Sequence, residues 1–235
     1  MKNKILKKIS EKCLIILMSF SVALGSCEKI EEKPKDFPPV QPCSGTPFVE
    51  YFGQTYGTVQ IGDQCWMERN LDVGSFITSN SSPTDNDTIE KYCYNNDTSN
   101  CRKFGGLYVW DELMQYNEGV GAQGICPPGW HIPTDDEYVA LTFYTDNYAP
   151  YIIDKNEYWD SYNPETTLPY NLTGFSAIPS GYYSVPFQVF GGLGNSAFFW
   201  KSELDISDLI IEDNSIYYGQ KSLNYAFPVR CIKDQ

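Results

Sequence analysis

Eight cysteines in 235 residues constrain this chain more than any other feature, and its N-terminus decides what they become. Lys2, Lys4, Lys7 and Lys8 precede the run LIILMSFSVALG, from Leu14 to Gly25. A basic patch followed by about 12 mostly apolar residues is a secretory signal pattern. As a helix, that run spans about 18 Å against a hydrocarbon core of about 30 Å, so it makes a poor permanent anchor. An exported chain leaves the reducing cytosol, and an even set of cysteines there reads as disulfides.

Leu24-Gly25-Ser26-Cys27 resembles a bacterial lipobox, where the leader is cut before a lipidated cysteine. Residues 1–26 then form a lipoprotein signal peptide, and the acyl chains on Cys27 turn a soluble product into an anchored one. The tether, residues 27–42, continues after Cys27 with EKIEEKPKDFPPVQP (28–42), charged and rich in proline. Such a segment reads as an extended tether, reaching about 45 Å at about 3.1 Å per residue. The acids directly after Cys27 resemble the surface-export signal of Bacteroidetes lipoproteins. The expected address is the cell envelope, lipid-anchored in the outer membrane and facing the surface.

Cys13 leaves with the leader and Cys27 takes the lipid. Cys43, Cys65, Cys93, Cys101, Cys126 and Cys231 remain. Six cysteines allow 15 pairings, and the sequence alone does not choose among them. Cys93 and Cys101 flank the polar turn YNNDTSN and are expected to bond to each other. A zinc site is disfavoured, because no C-x-x-C occurs and the chain has one histidine.

Charge excludes one large class of partner. The first 26 residues carry five Lys and one Glu, so removing this +4 takes the net charge from −13 to −17. A chain this acidic repels phosphate backbones, which argues against nucleic acid, and meets an anionic membrane only through its covalent lipid. Aromatic residues make up 15%, and they build cores or platforms for flat apolar ligands.

Residues 43–235 read as one domain of mixed α and β class with a mostly antiparallel sheet. TYGTVQI (55–61) alternates as a strand, Gly62-Asp63 marks a turn, and CWMERNL (65–71) continues extended. Residues 78–100, rich in Ser, Thr, Asn and Asp, read as a loop. LYVWDELMQY (107–116) begins strand-like and turns helical near Trp110. Thr134-Asp135-Asp136-Glu137 fits a capping box, which predicts a helix over 134–145 with Tyr138 and Leu141 inward. GFSAIPSGYYS (174–184), FFWKSEL (198–204) and AFPVRCI (226–232) read as short strands.

Six ordered blocks carry a resemblance: TVQIGDQCWMERNL (58–71), CYNNDTSNCRKFGGLYVW (93–110), CPPGWHIPTDDEY (126–138), GFSAIPSGYY (174–183), FWKSE (199–203) and VRCIKD (229–234). Together they resemble the Fibrobacter succinogenes major paralogous domain family of Bacteroidetes and Fibrobacteres. The resemblance implies a C-type-lectin-like fold: two short helices on an irregular, mostly antiparallel sheet with long loops. In that fold the terminal strands lie side by side and a long loop region carries binding. It also implies a disulfide between the start of the second helix and the last strand, hence Cys126 with Cys231. Cys43 and Cys65 are then the remaining pair. Formylglycine-generating enzymes share the fold and a similar G-W-x-x-P-T segment. They bind copper through two cysteines near the C-terminus, where this chain has only Cys231, so a divergent oxidase of that type is the least supported reading. The calcium-lectin tripeptides Glu-Pro-Asn, Gln-Pro-Asp and Trp-Asn-Asp are absent, and Asn163-Pro164-Glu165 holds such residues in reverse order.

No catalytic residue is expected. His131 reads as a hydrogen-bonded structural histidine, because a Cys–His nucleophile needs a free thiol and Cys126 is assigned to a disulfide. No G-x-S-x-G occurs, and thirty Asp and Glu single out no pair for glycoside hydrolysis. Asp85, Asn86 and Asp87 could wrap calcium but read as a solvated loop, so no cofactor is assigned. Asp87-Thr88-Ile89 also resembles a Bacteroidetes O-glycosylation triplet. For binding, Tyr158, Trp159 and Tyr162 in the loop 144–170 could present rings to the apolar faces of sugars. Tyr182 and Tyr183 are adjacent on a strand, so one points in and the other out; Tyr183 is assigned to the ligand. The expected function is a non-catalytic envelope lipoprotein that binds an extracellular ligand, a carbohydrate foremost, for adhesion or substrate capture. The alternative is a structural or protein-interaction module of the envelope.

Overall fold

Alternation in residues 54–67 makes a hairpin, and the rest of the fold is arranged around it. The computed structural model describes residues 35–163, 165, 169–203, 209–212, 215–219 and 223–235. The signal peptide, Cys27 and the first part of the expected tether lie outside the described residues. Strands β1 (Phe48–Tyr51), β2 (Gln54–Ile61) and β3 (Gln64–Met67) pair antiparallel in sequence order. β4 (Ser75–Phe76) and β5 (Glu90–Lys91) form a short parallel pair. Helix α1 (Thr98–Phe104), β6 (Tyr108–Val109) and α2 (Trp110–Leu113) follow, then β7 (Trp130–His131) and helix α3 (Asp135–Tyr144). The second half supplies β8 (Ser180–Ser184), β9 (Val189–Leu193), β10 (Ala197–Phe199), β11 (Leu209–Glu212), β12 (Ser215–Tyr218), β13 (Tyr225–Phe227) and β14 (Ile232–Lys233). They assemble as the sheets β1-β2-β3-β14-β7, β6-β13-β8-β9 and β10-β11-β12. The class is therefore α+β, mostly antiparallel.

Local chemistry explains most boundaries. Thr134 Oγ1 accepts from the Glu137 amide at 3.3 Å, and the Glu137 carboxylate accepts from the Thr134 amide at 2.8 Å. This reciprocal capping box starts α3 where the sequence places it. α1 lies partly inside the stretch read as loop. Asp97 caps it by accepting from the Ser99 amide at 2.8 Å, and the bond between Cys93 and Cys101 ties it down. The expected strand 226–232 is broken into β13 and β14. Pro228 has no N–H to give a ladder, and its carbonyl instead accepts from the Trp200 amide at 3.1 Å.

The expected tether ends sooner than its composition suggests. Phe37–Gln235 form one compact unit. The Phe37 ring lies 4.9 Å from Tyr151 and 5.6 Å from Tyr144. The Gln41 carbonyl accepts from the Gln60 amide at 3.0 Å. Residues 37–42 are thus a strap laid on the domain, held there by ring packing and backbone hydrogen bonding.

The core has a polar bolt. Trp66, fully buried, stacks on Tyr138 at 5.4 Å and meets Phe175 edge-on at 5.5 Å. Beside Phe175 and Phe199 lies the buried guanidinium of Arg230, 4.5 and 5.3 Å from their ring centres. It donates to Asn70 Oδ1 from Nε (3.2 Å) and Nη2 (2.8 Å), and to the carbonyls of Phe175 and Ser176. Burial pulls the guanidinium down to about 9. Next to it, Cys231 is bonded to Cys126 across 105 positions, and Cys43 is bonded to Cys65. All three disulfides join the partners named above. Closing a loop of this length is worth about 4.7 kcal/mol in the chain-entropy model. Replacing Cys126 and Cys231 together by alanine should therefore lower the unfolding free energy by about 2–5 kcal/mol in a urea titration. An unchanged midpoint and slope would show that the bond does not hold the last strand.

Candidate functional site

His131 is flanked by carboxylates on both sides. β7 presents it between the first turn of α3 and the C-terminal tail. Nδ1 lies 2.7 Å from Asp234 Oδ1, and Nε2 lies 2.9 and 3.1 Å from the two oxygens of Glu137. The bond to Glu137 raises the imidazole above its ordinary value; burial opposes this and Asp234 adds to it. Burial works against the Glu137 carboxylate, but the bonds from His131 and Thr134 outweigh it and hold it below the usual range. Cys126, the nearest cysteine in the sequence, is in a disulfide. This arrangement is a clamp between a helix start and a chain end.

The sign of the pH effect follows. A raised histidine contributes stability that is full below its unfolded value of about 6.5 and is lost as pH rises through the folded value. The lowered Glu137 contributes stability present above its unfolded value and lost as pH falls through the folded one. Both contributions are therefore present between about pH 4.5 and 6.5. Melting temperatures measured from pH 5.5 to 8.5 should fall further for the native chain than for His131→Gln. Parallel curves would contradict the clamp.

Further polar residues, in the six blocks and beside them, are bonded within the fold. Lys201, buried, places Nζ 2.8 Å from Asp135 Oδ1, while Glu203 accepts from the Asp135 amide at 3.0 Å. Trp200 Nε1 donates to the Tyr108 carbonyl at 2.6 Å, and Trp110 Nε1 to the Lys201 carbonyl at 3.2 Å. Lys91 meets Asp72 at 2.5 Å, and the Tyr108 hydroxyl both accepts from and donates to the Val73 backbone at 2.9 Å. Gly106 leaves room for this group: a side chain there would come within 2.7 Å of the Tyr108 hydroxyl and 2.9 Å of the Lys91 stem. Burial raises Glu112, whose oxygens accept from the Glu90 amide (3.0 Å) and the Tyr116 hydroxyl (3.1 Å), fastening β5 to α2.

The expected platform is only partly there. Trp159 is 2% exposed, its indole donating to the Asp154 carbonyl at 3.0 Å. Tyr183 is 1% exposed, donates to the Ser79 carbonyl at 2.8 Å and packs 4.5 Å from Tyr92. Both are core residues, and the binding role assigned to them is corrected. Tyr158 is half-buried, edge-on to Phe104 at 5.1 Å, and Tyr162 is exposed. The Asp85–Asp87 loop closes on itself: Asn86 Oδ1 accepts from the Thr88 amide at 2.9 Å and its Nδ2 donates to Thr84 Oγ1 at 3.0 Å. Among the described residues no group of three His, Cys, Asp or Glu is placed to hold a metal ion. Pro164 of the reversed tripeptide lies outside the described residues. A cleft of about 240 Å³ opens beside the strap, between Pro38, Ile61, Asp63, Tyr144 and Leu172. Its Thr173 hydroxyl donates to the Tyr151 carbonyl at 2.9 Å.

A different aromatic face emerges from the register. Tyr182 is the outward tyrosine of β8, half-buried and edge-on to Phe198 (5.4 Å) and Tyr225 (5.3 Å). Phe198, Ile210 and Tyr217 are direct cross-strand neighbours on β10, β11 and β12. Their chain neighbours Ala197 and Ile211 point into the core. Tyr225, Tyr182, Phe198, Ile210 and Tyr217 thus form one partly exposed strip crossing five strands. Glycines let its rings lie flat: a side chain at Gly191 would reach within 2.7 Å of the Tyr182 hydroxyl, and one at Gly192 within 3.1 Å of the Phe198 ring. The adjacent pair at 182–183 signalled one outward ring. The strip itself depends on pairings between distant segments and has no one-dimensional signal.

No curated protein and no solved structure matches the chain. Residues 59–233 match the sequence model of the Fibrobacter succinogenes major domain, a span running from within β2 to the end of β14. The chain belongs to the Fibrobacter succinogenes major domain family.

Proposed function

We propose that the protein is a lipid-anchored envelope protein whose C-type-lectin-like domain binds an extracellular carbohydrate through the strip, without transforming it. The observation that carries this reading is the strip: rings of Tyr182, Phe198, Tyr225 and Tyr217 left partly open to solvent on rigid strands. Sugar rings offer apolar C–H faces and polar edges, and amphipathic aromatic rings fit that combination. The lectin-like comparison is supported by β14 lying beside β3, with Ile232 opposite Trp66, and by the bond from Cys126 to Cys231. A binding role is supported by where the reactive groups go. The six described cysteines are in disulfides, and His131, Lys201 and Glu137 are tied to motif partners.

A protein-interaction role is the second reading. It is favoured by Val139 and Phe143, exposed one turn apart on α3, and would be supported by recovery of a defined envelope partner on Phe143-dependent pull-down.

The mature chain carrying Cys27→Ser should bind members of a glycan array equally with calcium and with chelator. Tyr182→Ala and Tyr217→Ala should each weaken that binding about tenfold, the share of one stacking ring. No binding to any glycan in either condition would contradict the carbohydrate reading.

A further inference from the structure

β8 carries Ser180 two positions before Tyr182 and Ser184 two positions after it, so a serine lies about 7 Å along the strand on either side of the central residue of the strip. Ser180 is 0% and Ser184 4% exposed. Neither hydroxyl has a hydrogen-bond partner among the described residues. A buried hydroxyl without a partner bears its full desolvation cost, and folded proteins retain few of them. The cross-strand neighbours are no help: Ser180 faces Leu193, and Ser184 faces Val189 and Tyr225. Alanine would fill either position without that cost. Two such groups flanking one ring therefore call for a partner that comes from outside the fold.

The way in is short. β9 is the edge of its sheet, and opposite Tyr182 it carries Gly191, which has no side chain to pin the ring. We propose that Ser180 and Ser184 are hydrogen-bonding residues for a neutral saccharide seated on the strip, reached by a shift of the Tyr182 ring that keeps its face on the sugar. This assignment rests on the carbohydrate reading given above. The rings take the C–H faces, while each serine can donate one hydrogen bond and accept others from sugar hydroxyls. The five strip residues carry no charge to pair with an acidic sugar, and the chain is strongly negative overall. Uronic or sulfated polymers are therefore disfavoured, and the ligand class is a neutral glycan.

The test uses the mature chain with Cys27→Ser, and its probes are cellohexaose, chitohexaose, xylohexaose and, as the acidic control, hexagalacturonate. Ser180→Ala and Ser184→Ala should each bind the neutral hexaoses about fivefold more weakly, the share of one neutral hydrogen bond. Each should melt at the same or a higher temperature, because it removes an unpartnered hydroxyl. Weaker binding together with a lowered melting temperature would mean that the hydroxyls are structural, and would overturn the assignment. Neutral-hexaose binding that survives both substitutions overturns the serines alone and leaves the strip standing. Failure of the native chain to bind any hexaose overturns strip and serines together. Binding of hexagalacturonate as tight as that of the neutral probes overturns the neutral class.

Discussion

A cation buried at Arg230 sets the terms for the rest of this fold. A guanidinium out of water needs acceptors for its N–H groups, and each hydrogen bond to a charged group is worth about 1.5–3 kcal/mol. Here the oxygens are neutral: the Asn70 side chain and the carbonyls of Phe175 and Ser176. Those acceptors come from two distant parts of the chain, so satisfying this one side chain ties the end of the hairpin and the approach to β8 to the segment leading into the last strand. Asn70 also donates to the Phe104 carbonyl at 2.8 Å, which brings in the end of α1. The neighbouring bond between Cys231 and Cys126 then holds the same strand to the segment before α3.

This interlock separates structure from function. The polar side chains in the six blocks look like a parts list for catalysis: a histidine, lysines, several acids and cysteines. In the fold several of them are one another's partners. His131 joins Glu137 to Asp234, Lys201 meets Asp135, and Glu203 accepts from the Asp135 amide. In CPPGWHIPTDDEY (126–138) the acids start a helix and the histidine bonds to Glu137 and to Asp234 in the C-terminal tail. The strip lies apart from these bonds, its rings packed against the core on one side and partly exposed on the other.

The local elements were legible in the sequence, because capping and turn chemistry act over a few residues. Thr134 with Glu137, and Cys93 with Cys101, are short-range devices whose parts stand close together. The long bond between Cys126 and Cys231 came from the family resemblance and not from any local signal. α1 was missed because Asp97 and its neighbours have the composition of a loop, and an N-cap without an apolar periodicity behind it carries little weight. The break at Pro228 was missed because the apolar run on either side continued through it. Trp159 and Tyr183 were misplaced for a different reason. An aromatic residue fits a core or a surface equally well, and only the tertiary register turns Tyr183 toward Tyr92 and Tyr182 toward Phe198.

The central claim is that the buried polar residues of these blocks stabilise one another. A double-mutant cycle on Asn70→Ala and Arg230→Met, read by urea unfolding, tests it most directly. If Asn70 is there chiefly to serve the guanidinium, removing both should cost less than the two single losses added together, by about 1 kcal/mol or more. Strict additivity would mean that the two side chains do not depend on each other, and the interlock would then fail at its centre.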